Sequence, residues 1–144
     1  MTVLDIGNNI SVSNSLPPES TTSASVRNGA SFDTRGYTWG VAIFIMGNMD
    51  AAATEAFAVE DSADDSSFAV CDKVGSDAGA ADATIAAAVY ADNSVATIAI
   101  DFTNTRRYVR CTAKCSTADA QAYNCVIVGM PAYTGDASAP SFDV

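Results

Sequence analysis

Gly36-Tyr-Thr-Trp-Gly-Val-Ala-Ile-Phe-Ile-Met-Gly47 is the stretch that decides the fold. Tyr37, Trp39, Val41, Ile43 and Ile45 fall on one side of a two-residue period, and Thr38, Gly40, Ala42, Phe44 and Met46 on the other. That period, filled with β-branched and aromatic side chains, is the signature of a strand. Both sides are apolar, so the strand is expected to be central, with something covering each face. On that footing Trp39 belongs to the core.

Working outward, the same grammar recurs. Residues 54–60 alternate Phe57 and Val59 against Ala56, Ala58 and Glu60. The acidic turn Asp61 to Ser67 and the short apolar run Phe68 to Cys71 then complete a hairpin signal. Residues 95–102 set Ala96, Ile98, Ile100 and Phe102 against Val95, Thr97, Ala99 and Asp101. From Arg106 to Cys115, Arg106, Tyr108, Arg110, Thr112 and Lys114 share one face, and Val109, Cys111, Ala113 and Cys115 the other, as in a half-buried strand. A polar turn from Ser116 to Gln121 leads to a last strand, Ala122 to Met130. A symmetric hairpin here would set Cys125 opposite Ala113, diagonal to both Cys111 and Cys115. A short strand is expected before the Asn28-Gly29 turn signal, and a loop over 75–82. Residues 83–90 read either as a helical turn or as a strand.

The sum is seven or eight short strands: an all-β fold, an antiparallel β-sandwich of jelly-roll type. Residues 1–19, ending in Leu16-Pro17-Pro18-Glu19, are expected to form an extended arm or an irregular lead-in, because paired prolines interrupt regular structure. Residues 20–144 are then a single sandwich domain, which suits the size of a chain of 144 residues. A polar tail follows Pro131.

Composition removes whole classes of function. There is no His, so neither a Ser-His-Asp nor a Cys-His machine can be assembled, and no enzyme is expected. The net charge of −10 repels phosphate, which argues against nucleic acid. The start, Met1-Thr-Val-Leu-Asp-Ile-Gly7, lacks the form of a signal peptide, and the apolar run Val41 to Met46 is too short to span a membrane. The chain is therefore expected in a reducing cytosol unless it leaves within a larger particle. There Cys71, Cys111, Cys115 and Cys125 read as small buried thiols. Four residues of strand span about 13 Å, which rules out a Cys111–Cys115 bridge. The C-x3-C spacing of that pair falls in the range of zinc knuckles, but those are turns, and this segment alternates as a strand.

Few motifs carry chemistry. Glu60, Asp61, Asp64 and Asp65 offer oxygen ligands for Ca²⁺ but lack a full ligand ladder, and read as a solvated turn; no metal or cofactor is expected. Paired carboxylates for glycoside chemistry need a cleft that one turn does not supply. Gly75-x-x-x-Gly79 lacks the Lys-Ser or Lys-Thr of a phosphate loop. Arg106, Arg107 and Arg110 hold three of seven basic residues; they either neutralise carboxylates on their own sheet or meet an acidic partner. Arg106, Arg110, Pro17 and Pro18 are the candidate partner contacts.

Taken in order, four segments resemble the jelly-roll cement or decoration proteins of tailed-phage capsids. They are Gly36 to Ile45; Ala58-Val-Glu-Asp-Ser-Ala-Asp-Asp-Ser-Ser-Phe68; Asp101-Phe-Thr-Asn-Thr-Arg-Arg-Tyr-Val-Arg110; and Val126-Ile-Val-Gly-Met-Pro131. The likeness covers roughly residues 33–133. The four Cys and the Ala-rich stretch from Ala78 to Ala88 depart from it. The resemblance implies a homotrimer seated on the major capsid protein, on the exterior of a virion, made in the host cytoplasm. Other readings are a sandwich module that binds carbohydrate or a host surface, and a head-tail or tail component. The first of these requires an exposed aromatic platform.

Overall fold

The computed structural model describes residues 10–21, 26–49, 54–71, 83–116 and 121–131. Among them every regular element is a strand: β1 (Ser11–Thr21), β2 (Val26–Asn28), β3 (Phe32–Asp33), β4 (Tyr37–Met46), β5 (Glu55–Ser62), β6 (Ala69–Val70), β7 (Thr84–Ala88), β8 (Val95–Asp101), β9 (Tyr108–Cys115) and β10 (Gln121–Pro131). One sheet runs β1-β10-β4-β8. The other runs β2-β9-β5-β6, with β3 also on β9 and β7 also on β5. All these pairings are antiparallel.

The ten segments fill eight strand positions. β2 and β3 lie along successive parts of β9, and β6 and β7 along successive parts of β5. The pairing is nested: first with last, second with second-last, and so inward to β5 with β6 and β7. This is a long antiparallel hairpin folded over on itself, the jelly-roll arrangement. The sandwich expected from the sequence is thus the fold. Residues 83–90, ambiguous in the sequence, supply β7, because pairing with Phe57 and Ala58 outweighs the helical preference of alanine.

Period-2 burial makes the core. Ala42, Phe44 and Met46 of β4 point inward to meet Phe57 and Val59 of β5, and Phe44 stacks on Phe57 with ring centroids 4.6 Å apart. A second aromatic group, Phe32, Tyr37 and Phe102, closes the other end at 5.0 to 6.5 Å. Ser15 stitches the sheets at one edge. Its hydroxyl donates to the Ala30 carbonyl at 2.8 Å and accepts from the Cys111 amide at 3.0 Å.

Three expectations are corrected. Residues 11–19 do not form an arm; they are β1, within the sandwich. Register shifts between Asn14 and Leu16 and between Leu16 and Glu19 absorb Pro17 and Pro18, and β1 is an edge strand, where a missing N–H costs little. Residues 1–9 lie outside the described residues. Secondly, β9 and β10 form no hairpin. The chain crosses from one sheet to the other between them, so Cys125 pairs in register with Phe44 and Leu16, and Ala113 with Phe57 and Arg27. Thirdly, among the described residues β4 is covered on one face only. Trp39 lies on the other face and is 53 % exposed. The expected loop over 75–82 and the tail beyond Pro131 lie outside the described residues.

Candidate functional site

The uncovered face of β4 belongs to a continuous surface. The register aligns Val12, Val128, Val41 and Ala99 in one row across the four strands, and Asn14, Val126, Ile43 and Thr97 in the next. Asn124, Ile45 and Val95 form a third row, and Met130, Trp39 and Asp101 a fourth. Of the six large hydrophobic side chains exposed among the described residues, four stand here: Val12, Trp39, Ile45 and Val95. Asp101 is the single charged residue in these rows. Its carboxylate is turned to its own loop, accepting from the Thr103 hydroxyl and amide and from Asn104 Nδ2, and those bonds lower its pKa. At the Ile45 end the face runs into a surface hollow of about 220 Å³ that Pro18 and Asn124 also line.

The outer face of the second sheet is built differently. There Glu60 and Arg110 are register partners, and Arg110 Nε and Nη2 both reach Glu60 Oε2, at 2.9 and 2.7 Å. The same guanidinium lies 4.1 Å over the Phe68 ring. Lys114 is exposed beside Ala56. This face pairs Arg110 with Glu60, whereas the other leaves apolar area in water, which is the condition that association relieves.

The candidate residues named from the sequence divide accordingly. Pro17 and Pro18 are exposed on β1, at the edge of the apolar face. Arg106 and Arg110 lie with the other sheet, engaged with carboxylates of this chain: the Arg106 amide donates to Asp61 Oδ2 at 2.9 Å, and its guanidinium lies 3.6 Å from Asp61 Oδ1. Arg107 pairs with Asp33, which also holds Arg35; the two guanidiniums, Arg107 first, hold the Asp33 carboxyl well below the usual range. Asp61, Asp64 and Asp65 do not converge. Asp61 serves Arg106, and Asp64 caps its own turn by accepting from the Ser67 and Ser66 amides and the Ser62 hydroxyl, which lowers its pKa. Asp65 sits exposed at a positive φ of 59°. Among the described residues no three His, Cys, Asp or Glu side chains group as metal ligands would.

Two features of the structure went unnoticed in the sequence. The apolar face had a signal, since β4 and β10 are apolar at both parities; what was missing was knowledge that the described residues cover only one side. The second is Glu55, fully buried in phase with Phe57 and Val59. Burial pushes its pKa up, against the smaller pull of a hydrogen bond with the Cys115 thiol and of the Arg27 charge. Tyr123, with Arg27 4.9 Å over its ring, shares this end of the core, and burial pushes its hydroxyl up to about 12.

No protein-family model matches the chain, and no curated protein matches its sequence. Its structure is similar to that of the PBSX exported protein XepA, with a TM-score of 0.53 and 11 % identity over 96 % of this chain and 42 % of that one. It is also similar to a chain in the structure of infectious bursal disease virus Gx strain, with a TM-score of 0.52 and 6 % identity over 89 % of this chain and 33 % of that one. The chain thus spans less than half the length of either neighbour. What they share with it is the fold.

Proposed function

We propose that this chain is a structural virion protein that binds the outer surface of a phage capsid and stabilises the shell. The observation that carries the reading is the apolar outer face of the β1-β10-β4-β8 sheet, four strands wide and almost free of charge. The reading is supported by a fold shared with a chain of a virus and with an exported protein of the prophage PBSX. It assigns no reaction to the chain. The partner is the major capsid protein, reached from the capsid exterior after synthesis in the host cytoplasm.

Magnitudes favour attachment in several copies. Strands about 4.8 Å apart and about 3.3 Å per residue make a face of about 400 Å². A standard interface takes about 800 Å² from each partner. Burying the face and a matching patch of the partner contributes at most about 20 kcal/mol, most of which is offset by the roughly 4–15 kcal/mol of lost freedom and by side-chain ordering and polar desolvation on association. One copy alone therefore binds weakly, and a homotrimer gains the missing affinity by engaging several capsid subunits together.

Two measurements test this. Counting the chain in purified particles should give hundreds of copies; a dozen or fewer would place it at the portal or tail instead. Trp39→Ser combined with Ile45→Ser should leave the fold intact, since both side chains are partly in water, yet reduce co-sedimentation with capsids at least tenfold. Unchanged binding by that variant removes the face from the proposal.

A second reading rests on Trp39 itself. A half-exposed indole on the outer face of a sheet is what a carbohydrate-binding sandwich presents. Quenching or a shift of its fluorescence on titration with oligosaccharides, in the absence of capsids, would favour that reading.

A further inference from the structure

We propose that Cys111 and Cys125 are a disulfide site that bolts the two sheets together through the middle of the sandwich. Cys111 lies on β9 and Cys125 on β10, each the second strand of its sheet and each flanked on both sides by others. Both side chains are completely buried and face each other across the core, with their Sγ atoms 2.7 Å apart, closer than ordinary sulfur–sulfur contact. Both are free thiols in this structure. A covalent bond at about 2.05 Å needs only a small further approach. Bridging two sheets between inner strands is a known way of stapling a sandwich. The other two cysteines are placed differently: Cys115 is the register partner of Glu55, and Cys71 bonds through its backbone to Val59 and Ala83.

The co-reactant is a small-molecule disulfide such as oxidised glutathione. One protein thiolate attacks a sulfur of the reagent and releases one reagent thiolate, forming a mixed disulfide. The second protein thiolate then displaces the other reagent thiolate and closes the Cys111–Cys125 bond. The two protein thiols give up two protons and two electrons; the reagent disulfide takes up both and leaves as two thiols. Burial, with Cys111 adding to it, pushes the Cys125 thiol far up, so the thiolate is scarce in the closed fold. The exchange accordingly runs during folding or through opening of the sandwich, and the finished bond is shielded from reductant.

The test uses the full chain. It is refolded in a mixture of oxidised and reduced glutathione, denatured in an alkylating reagent and mapped by mass spectrometry. The expected product is lighter by two hydrogens, joins the peptides of Cys111 and Cys125, and carries alkylated Cys71 and Cys115. It should melt on the order of 10 °C above the reduced chain. Cys125→Ala should lose the dependence of melting on oxidant, and Cys71→Ser should keep it; where either variant fails to fold, the map of the unaltered chain decides. Four alkylated cysteines after refolding in the oxidant, or a bridge between any other pair, would overturn the proposal.

Discussion

At the scale of single residues, parity along a strand decides the fate of each side chain. Glu55 is the sharpest case, a carboxyl carried into the core because it is in phase with Phe57 and Val59. Its folded pKa lies above its ordinary value of 4.5, so the fold favours the protonated form. Below pH 4.5 both the folded and the unfolded chain are protonated and the group costs nothing extra. As pH rises past that value the unfolded chain ionises first, and stability falls until the folded pKa is passed. Glu55→Gln should therefore stabilise the protein by roughly 1–2 kcal/mol at pH 7 and by progressively less towards pH 4. Urea melts of both forms across that range check this. A stability difference that does not change with pH would show that ionisation of Glu55 is not the cause.

At the scale of elements, the pairing of β4 with β10 holds the sandwich. Gly40 faces Gly129 in register, which opens a window over which Phe32, Tyr37 and Phe102 pack. A Cβ on Gly40 would run into the Val128 carbonyl oxygen and come within 2.7 Å of the Phe102 ring. Neither backbone nor packed ring can yield freely, so Gly40→Ala should cost about 1–3 kcal/mol in chemical denaturation, with the m-value unchanged. The stacked Phe44–Phe57 pair, in another part of the core, should be undisturbed, so aromatic NMR shifts should move near Phe102 and not near Phe57. In the sequence Gly40 and Gly129 read as ordinary small residues, because their importance comes from facing each other across strands 89 positions apart, the separation of 40 from 129.

At the scale of the whole molecule, charge and apolar area are unevenly divided between the sheets, although Val26 is exposed beside Lys114 on the second. One sheet presents Glu60, Arg110 and Lys114, and the other presents Trp39, Ile45, Val95 and Val12. A net charge of −10 keeps free copies apart, while the apolar face leaves hydrophobic area in water. If that face makes the contact, attachment to capsids should survive about 0.5 M NaCl, where surface charges more than a few ångströms apart are screened. Attachment lost in salt would shift the contact to Arg106, Arg110 and their surroundings. The same salt should raise the melting temperature of the free chain slightly, by screening self-repulsion.

The sequence by itself determined the strands. Period-2 patterning is local, so β4, β5, β8 and β9 could be read residue by residue, along with the inward set Val109, Cys111, Ala113 and Cys115. Composition alone was likewise enough to remove histidine-based catalysis. Tertiary structure decided everything that depends on which strand lies beside which. The prolines of β1 looked like an interruption until an edge position made them tolerable. Cys111 and Cys125 looked like neighbours on one hairpin until the chain crossed between sheets and set them face to face. Trp39 looked buried because a strand apolar on both sides does not say which side the protein itself covers. Alternation fixes which residues share a face; only the packing of two sheets fixes which face meets water.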